Sequence, residues 1–200
     1  MSLTEAILEN PLVYRLWQAP FADRKLAPVL AHNDLRETRR VLDVGCGPGT
    51  NAPHFQHAYY LGLDFNPHYI ESARRRFRGN FEVADVTKYN AEPGTRFDFI
   101  LTNSILHHID DENTEHILSH LRTLLTPDGH VHILELVLPD QSGIARTLAH
   151  MDRGKYARPL ERWRELFSKH FDTEIFEPYP LGMFGVPLWN MIYFKGRALR

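Results

Sequence analysis

The residues best suited to chemistry in this 200-residue chain begin with Asp43-Val44-Gly45-Cys46-Gly47-Pro48-Gly49-Thr50. Three alternate glycines behind a carboxylate keep side chains off a loop and let a ligand approach the main chain. A nicotinamide-dinucleotide loop would carry glycine at positions 45, 47 and 50, but position 50 is Thr50, so that cofactor is not indicated. Asp64 follows roughly 20 residues later, the spacing at which an acid after a second strand meets a ribose. A carboxylate suits that task because it accepts from two neighbouring hydroxyls at once. His107 and His108 supply side chains that titrate near neutrality, as a proton acceptor should. The alternative for that pair is to cap or pack the helix that follows. Glu135 is a further acid–base candidate.

These residues need elements to position them. Apolar runs at 41–44, 59–63, 81–86, 97–103 and 131–138 read as strands. Asn66-Pro67 opens a helix with Asn as cap and Pro in the first turn, and Ile70, Ala73 and Phe77 share its inner face. Asp110-Asp111 opens another, with Ile117, Leu118, Leu121, Leu124 and Leu125 as its apolar stripe. The Thr126-Pro127-Asp128-Gly129 segment should end it in a turn. Repeated strand–helix–strand alternation predicts a parallel sheet covered on both faces, with ligands outside the carboxyl ends of the strands. Asp43, Asp64, Asp85 and Asn103 all fall at or near such ends.

Beyond Pro139 the pattern changes. A short helical segment is expected within 140–158, then a helix with Leu160, Trp163, Leu166 and Phe167 on one face. Segments 173–179 and 189–195 read as closing strands, and the link 181–187 is short enough for a hairpin, which predicts an antiparallel edge. Before residue 39 the pattern is helical, with Leu12, Val13, Leu16 and Trp17 on one face and Leu26, Val29 and Leu30 on another.

The pattern acid-x-Gly-x-Gly-x-Gly resembles motif I of the class I S-adenosylmethionine-dependent methyltransferases. Asp64 after the second run, Phe81-Glu82-Val83-Ala84-Asp85-Val86, the Phe97–Asn103 run with Ser104-Ile105-Leu106-His107-His108, and Leu124-Leu125-Thr126-Pro127-Asp128-Gly129-His130 extend the resemblance over about residues 38 to 138. It implies a doubly wound α/β fold with seven strands in the order 3-2-1-4-5-7-6. It also implies S-adenosylmethionine as cofactor: Gly45 and Gly47 facing its methionine part, Asp43 supporting the loop and the amino group, Asp64 at the ribose, Asp85 and Val86 at the adenine, and Asn103 beside the methionine amino group. Cys46 and Phe65 adjoin these residues and complete the expected cofactor-binding set, with the Cys46 thiol expected to fill a packing niche. His107 and His108 are the candidate catalytic residues. After the fourth strand the chain has Asn103-Ser104-Ile105-Leu106 in place of Asn-Pro-Pro-Tyr, which argues against the amino-methylating nucleic-acid and glutamine enzymes. The core is similar to ubiquinone and menaquinone biosynthesis methyltransferases, which implies a small-molecule or lipid-like acceptor. A protein of this fold that binds the cofactor without transferring methyl, or an RNA methyltransferase, are the alternatives.

Composition narrows the field further. Twenty-three basic against 25 acidic residues give no sign of a polyphosphate partner, and the Arg74-Arg75-Arg76-Phe77-Arg78 cluster reads as a solvated helix face. One cysteine excludes an internal disulfide and fits a reducing compartment. No stretch reaches the roughly 20 apolar residues of a membrane span, and no signal-peptide pattern opens the chain, so a cytoplasmic protein is expected. His116/His120 and His130/His132 invite a metal reading, but no zinc pattern flanks them and no metal is expected. The length suits one domain, divided into a helical lid over 1–38, a cofactor-binding core over 39–138, and a lid segment with closing strands over 139–200. Tyr14, Trp17, Phe21, Tyr156, Met183, Phe184 and Trp189 would give the lid an aromatic lining for the acceptor, or serve as ordinary core. Arg153, Lys155 and Arg158 would hold an anionic group or be solvated.

Overall fold

The computed structural model describes residues 24–141, 143–151, 155–183 and 186–199. Tyr14, Trp17, Phe21, Arg153 and Phe184 lie outside them, as do most of the first expected lid segment and the side chain of Met183.

Seven strands form one sheet: β1 (Arg40–Val44), β2 (Tyr59–Asp64), β3 (Asn80–Val83), β4 (Phe97–Asn103), β5 (Leu125–Val137), β6 (Phe171–Met183) and β7 (Val186–Ala198). Their order is β3-β2-β1-β4-β5-β7-β6, as expected from the resemblance. The first five run parallel, while β7 is antiparallel to both β5 and β6. Parallel strands align their carboxyl ends, so the residues after β1, β2, β3 and β4 meet along one edge.

Residue alternation sorts the core into two layers. Leu42, Val44, Leu61 and Leu63 face one side, packed with α3 (Asp111–Leu124) through Ile117, Leu118 and Leu121, and with α5 (Leu160–Ser168) through Trp163, Leu166 and Phe167. Val41 and Tyr60 face the other, with Leu26 and Val29 of α1 (24–32) and Ile70 and Ala73 of α2 (Pro67–Arg76). The caps are those read from the sequence: the Asn66 side chain accepts from His68 N–H and Tyr69 N–H, and Asp110 accepts from Asn113 N–H. A short α4 (Ile144–Met151) follows β5. None of the described helices is long and apolar enough to cross a membrane.

Two boundaries differ from expectation. Residues 126–129 belong to β5 rather than to a separate turn after α3. Leu125 is buried and pairs with Phe97, so β5 starts there, and the four residues up to His130 are accommodated as an irregularity opposite β4. The closing strands also run to 13 residues each, pairing as far as Met183 with Val186. Leu181, buried with Leu136, Ala149 and Met191 in a third small cluster, extends the pairing into what reads as a loop.

Gly49 shows what one of the loop glycines is for. Its φ is +80°, and an added Cβ would lie 3.0 Å from both Ala73 Cβ and Phe77 Cδ2. The residue lets α2 seat against the loop. Gly49→Ala is therefore expected to lower stability by about 1–3 kcal/mol. Urea denaturation would show this as a lower midpoint with an unchanged slope.

Candidate active site

Asp43, one residue before the end of β1, is fully buried. Its Oδ2 accepts from the Tyr60 hydroxyl at 2.5 Å and from the Asn51 amide at 3.1 Å. Its Oδ1 is also buried and has no partner among the described residues. Burial pushes the carboxyl up to about 6, against the two hydrogen bonds and with help from the nearby Asp64. Asp64 closes β2 with Oδ2 on Gly47 N–H at 2.9 Å and Oδ1 on Asn66 N–H at 2.8 Å. Burial raises this carboxyl as well, and the two N–H donors oppose the rise. The N–H groups of Gly45 and Cys46 both reach Leu63 O, so the glycine loop is tied to the end of β2. The Cys46 side chain is buried against the sheet, where burial pushes its thiol far up. The Sγ donates to Gly47 O at 3.5 Å and packs within the second core layer. Phe65, by contrast, is 76% exposed.

Asp85 lies two residues past β3 and is half exposed. Its Oδ1 takes the N–H and hydroxyl of Thr87, and Lys88 lies 3.4 Å from Oδ2. Those contacts hold its carboxyl below the usual range despite slight desolvation. Val86 is half-buried against the first core layer. Asn103, at the end of β4, accepts the Ser104 hydroxyl on its Oδ1. Ser104 has φ +59°, and Lys25 from α1 donates to its Oγ at 3.1 Å.

The histidines occupy a short turn, Leu106–His108, directly after β4. His107 is buried, and its Nδ1 lies 2.7 Å from Glu135 Oε2 on β5. The other oxygen of Glu135 accepts from Ile105 N–H at 2.9 Å and Leu106 N–H at 2.6 Å. Burial would raise the Glu135 carboxyl, but His107 and the two N–H groups outweigh it and keep the carboxyl low. His108 is exposed, and its ring centroid lies 4.1 Å from that of His107. Glu135, the weaker candidate from sequence, is thus the residue that orients His107.

Arg158 answers the open question about the basic lid residues. It is buried, and all its donors go to the protein. Nε reaches Asp111 at 2.6 Å, Nη1 reaches Leu106 O and Tyr156 O, and Nη2 reaches Ile109 O and Thr114 Oγ1. Its guanidinium also lies over the Trp163 ring at 4.6 Å. Tyr156 N–H meets His107 O, so this strap holds the histidine turn from the side opposite Glu135. No local signal marks Arg158 out from the exposed Lys155 near it. The basic cluster on α2 is also partly structural: Arg74 donates to Phe81 O, Arg75 pairs with Glu71, and Arg76 covers the Phe77 ring. Among the described residues no group of three ligating side chains is placed to hold a metal. His130 pairs with Glu174, and His132 is buried against Tyr193.

Residues 41–129 match the family model of the methyltransferase domain. Over 136 residues the chain is 35% identical to a trans-aconitate 2-methyltransferase of Methylobacterium radiotolerans, covering 66% of this chain and 49% of that protein. It is 31% identical over 132 residues to an uncharacterised methyltransferase of Mycobacterium tuberculosis, covering 63% of this chain and 66% of the other. The chain thus spans about half the length of the curated trans-aconitate methyltransferases of the two Methylobacterium species that it matches. Among solved structures it resembles the N-methyltransferase NodS of Bradyrhizobium japonicum in complex with S-adenosylhomocysteine, with TM-score 0.74, 14% identity, and 98% and 96% of the two chains covered. Human N-acetylserotonin methyltransferase in complex with S-adenosylmethionine gives TM-score 0.69 at 18% identity, covering all of this chain and 59% of the other. At these identities the structures speak for the fold.

Removing Arg158 would strip donors from three buried or half-buried carbonyls and leave Asp111 with Arg162 alone. Arg158→Ala is expected to cost about 2–5 kcal/mol of stability. Arg158→Lys should recover only part of that, because one ammonium cannot serve a planar five-donor pattern. Denaturant midpoints of the two variants check this.

Proposed function

The chain belongs with the class I methyltransferases, their domain running over residues 41–129, and from that premise we propose that it binds S-adenosylmethionine and methylates a small-molecule acceptor. The observation that carries the reading is the carboxyl edge of the sheet. There a buried Asp43 oxygen lacks a donor among the described residues while Phe65, the residue directly after β2, is exposed. An α-ammonium group satisfies the first and a purine edge or ribose face covers the second. Asp64 would hold the ribose, Asp85 and Val86 the adenine, Gly45, Cys46 and Gly47 the methionine part through their backbone, and Asn103 the region of the amino group. Bound there, the sulfonium cofactor supplies a methyl group that is already activated. The chain's own task is alignment, holding an acceptor atom at about 3 Å on the line of attack.

Glu135 fixes the His107 ring by accepting from Nδ1, and in that tautomer Nε2 is the basic nitrogen that would take a proton from an acceptor O–H or N–H. His108, tilted against the His107 ring at the surface, would lie on the solvent side of that exchange. The trans-aconitate relatives make small organic acids the first acceptors to try. Tyr156, exposed and with its N–H on His107 O, would offer an aromatic surface for an apolar or lipid-like portion of the acceptor.

Calorimetry should show S-adenosylhomocysteine binding and no NAD binding, with Asp64→Ala weakening the former by about 1.5–3 kcal/mol. Absence of S-adenosylhomocysteine binding to the folded protein would overturn the reading. Transfer of labelled methyl to organic acids or to a metabolite extract tests the reaction itself. His107→Ala should keep its cofactor affinity and lose roughly 10²–10⁴ in turnover, the range for a general base. A wild-type protein that binds but labels nothing would instead be a binding protein of this fold.

A further inference from the structure

Tyr60 is an unusual neighbour for a ligand-site carboxylate. It sits on β2 beside Val41 in the parallel register, with its ring among Phe55 and Phe81 and its side chain almost wholly buried. A phenol in such a layer needs a partner for its hydroxyl, and the partner here is Asp43 Oδ2. Asn51 supplies the same oxygen with a second donor. One side of the carboxylate is therefore saturated, while Oδ1 remains buried and without a donor among the described residues. A buried acceptor in that condition is costly unless a donor arrives.

We propose that Tyr60 is a positioning residue of the cofactor site: with Asn51 it pins one oxygen of Asp43, holds the group as a carboxylate, and so reserves the other oxygen for the α-ammonium group of the bound cofactor. The inference rests on the S-adenosylmethionine reading of the site and adds a dependence on pH. Asp43 can hold an ammonium group only when ionised. The groups that bear on its charge are Tyr60 and Asp64 from β2 and Asn51 from the turn after the glycine loop, while the Cys46 thiol nearby stays protonated through burial. Burial and Asp64 favour the protonated form, and the Tyr60 and Asn51 hydrogen bonds favour the carboxylate, leaving the group at about 6. Cofactor affinity should therefore be steady above neutrality and fall as pH drops through that value. Loss of the Tyr60 hydroxyl removes a bond that favours the charged form, so the fall must begin at higher pH.

The test is calorimetric titration of S-adenosylhomocysteine into wild type and Tyr60→Phe from about pH 5.5 to 8.5. The variant keeps both ring contacts and loses only the oxygen. At pH 7 its affinity should be about two- to tenfold below wild type, and the two should converge toward the alkaline end. Asp64 also titrates, but it makes no bond to Tyr60, so its contribution is common to both proteins and cancels in the comparison. Carbon-detected titration of the Asp43 carboxyl in the protein without ligand should show the same upward displacement in the variant. Identical affinity profiles, or a loss of equal size at every pH, would overturn the proposal, the latter because it marks a packing effect. Wild type that fails to bind S-adenosylhomocysteine at any pH would overturn the site reading and this inference together. Binding with coincident profiles would overturn the inference alone.

Discussion

A carboxylate with no access to water must find its donors inside the chain, and Glu135 sets that condition for much of this structure. It lies wholly buried on β5, and taking a charge out of water is expensive unless hydrogen bonds and opposite charge surround it. The turn after β4 meets the need with two backbone N–H groups and an imidazole. The same turn then exposes its carbonyls on the far side, where the buried Arg158 guanidinium collects Leu106 and Ile109. The Leu106 peptide is thus held by an anion at its N–H and by a cation at its C=O. His107, between the two, has little freedom to rotate.

That clamp links parts of the chain that are far apart in sequence. Arg158 and Arg162 both reach Asp111 in the first turn of α3, so the start of α3 and the start of α5 share one carboxylate. Trp163 stacks under Arg158 and donates its indole N–H to Leu136 O, which fastens α5 to the strand that carries Glu135. The segment expected to include anion-binding lid residues is, at Arg158, a fastening between the closing elements and the histidine turn. Glycine shows a similar division of labour. Gly45, where a Cβ would come within 2.6 Å of Ile105, and Gly49, against α2, meet the chain's own packing needs as much as a ligand's.

Three aspartates that look alike in the linear chain end in three different environments. Asp43 is sealed in the second core layer and raised toward neutrality. Asp64 is nearly buried but accepts from two backbone N–H groups, that of Gly47 in the glycine loop and that of Asn66 at the cap of α2. Asp85 is half exposed and engaged with Thr87 in its own turn. The proposed cofactor contacts therefore draw on different physics: relief of an unpaired buried oxygen at Asp43, sharing of an occupied carboxylate at Asp64, and competition with a local turn and water at Asp85.

Sequence by itself determined the run of elements along the chain and which polar residues stand at the strand ends. Apolar runs punctuated by Gly, Pro and Asn signals are local, and they placed five parallel strands, the caps of α2 and α3, and four polar residues at strand ends. The order of the strands came with the resemblance, since periodicity alone does not rank alternative arrangements. The strand limits at 125 and 181–187 were not legible, because Leu125 and Leu181 became strand residues through burial against distant elements. Only the tertiary structure decided which polar groups face one another. Tyr60 meets Asp43 across 17 residues, His107 meets Glu135 across 28, and Arg158 meets Leu106 across 52. A side chain's type states what it can donate or accept. Whether it is solvated, paired or sealed depends on where the chain returns, and that return is governed by burial of the whole core, which no local pattern encodes.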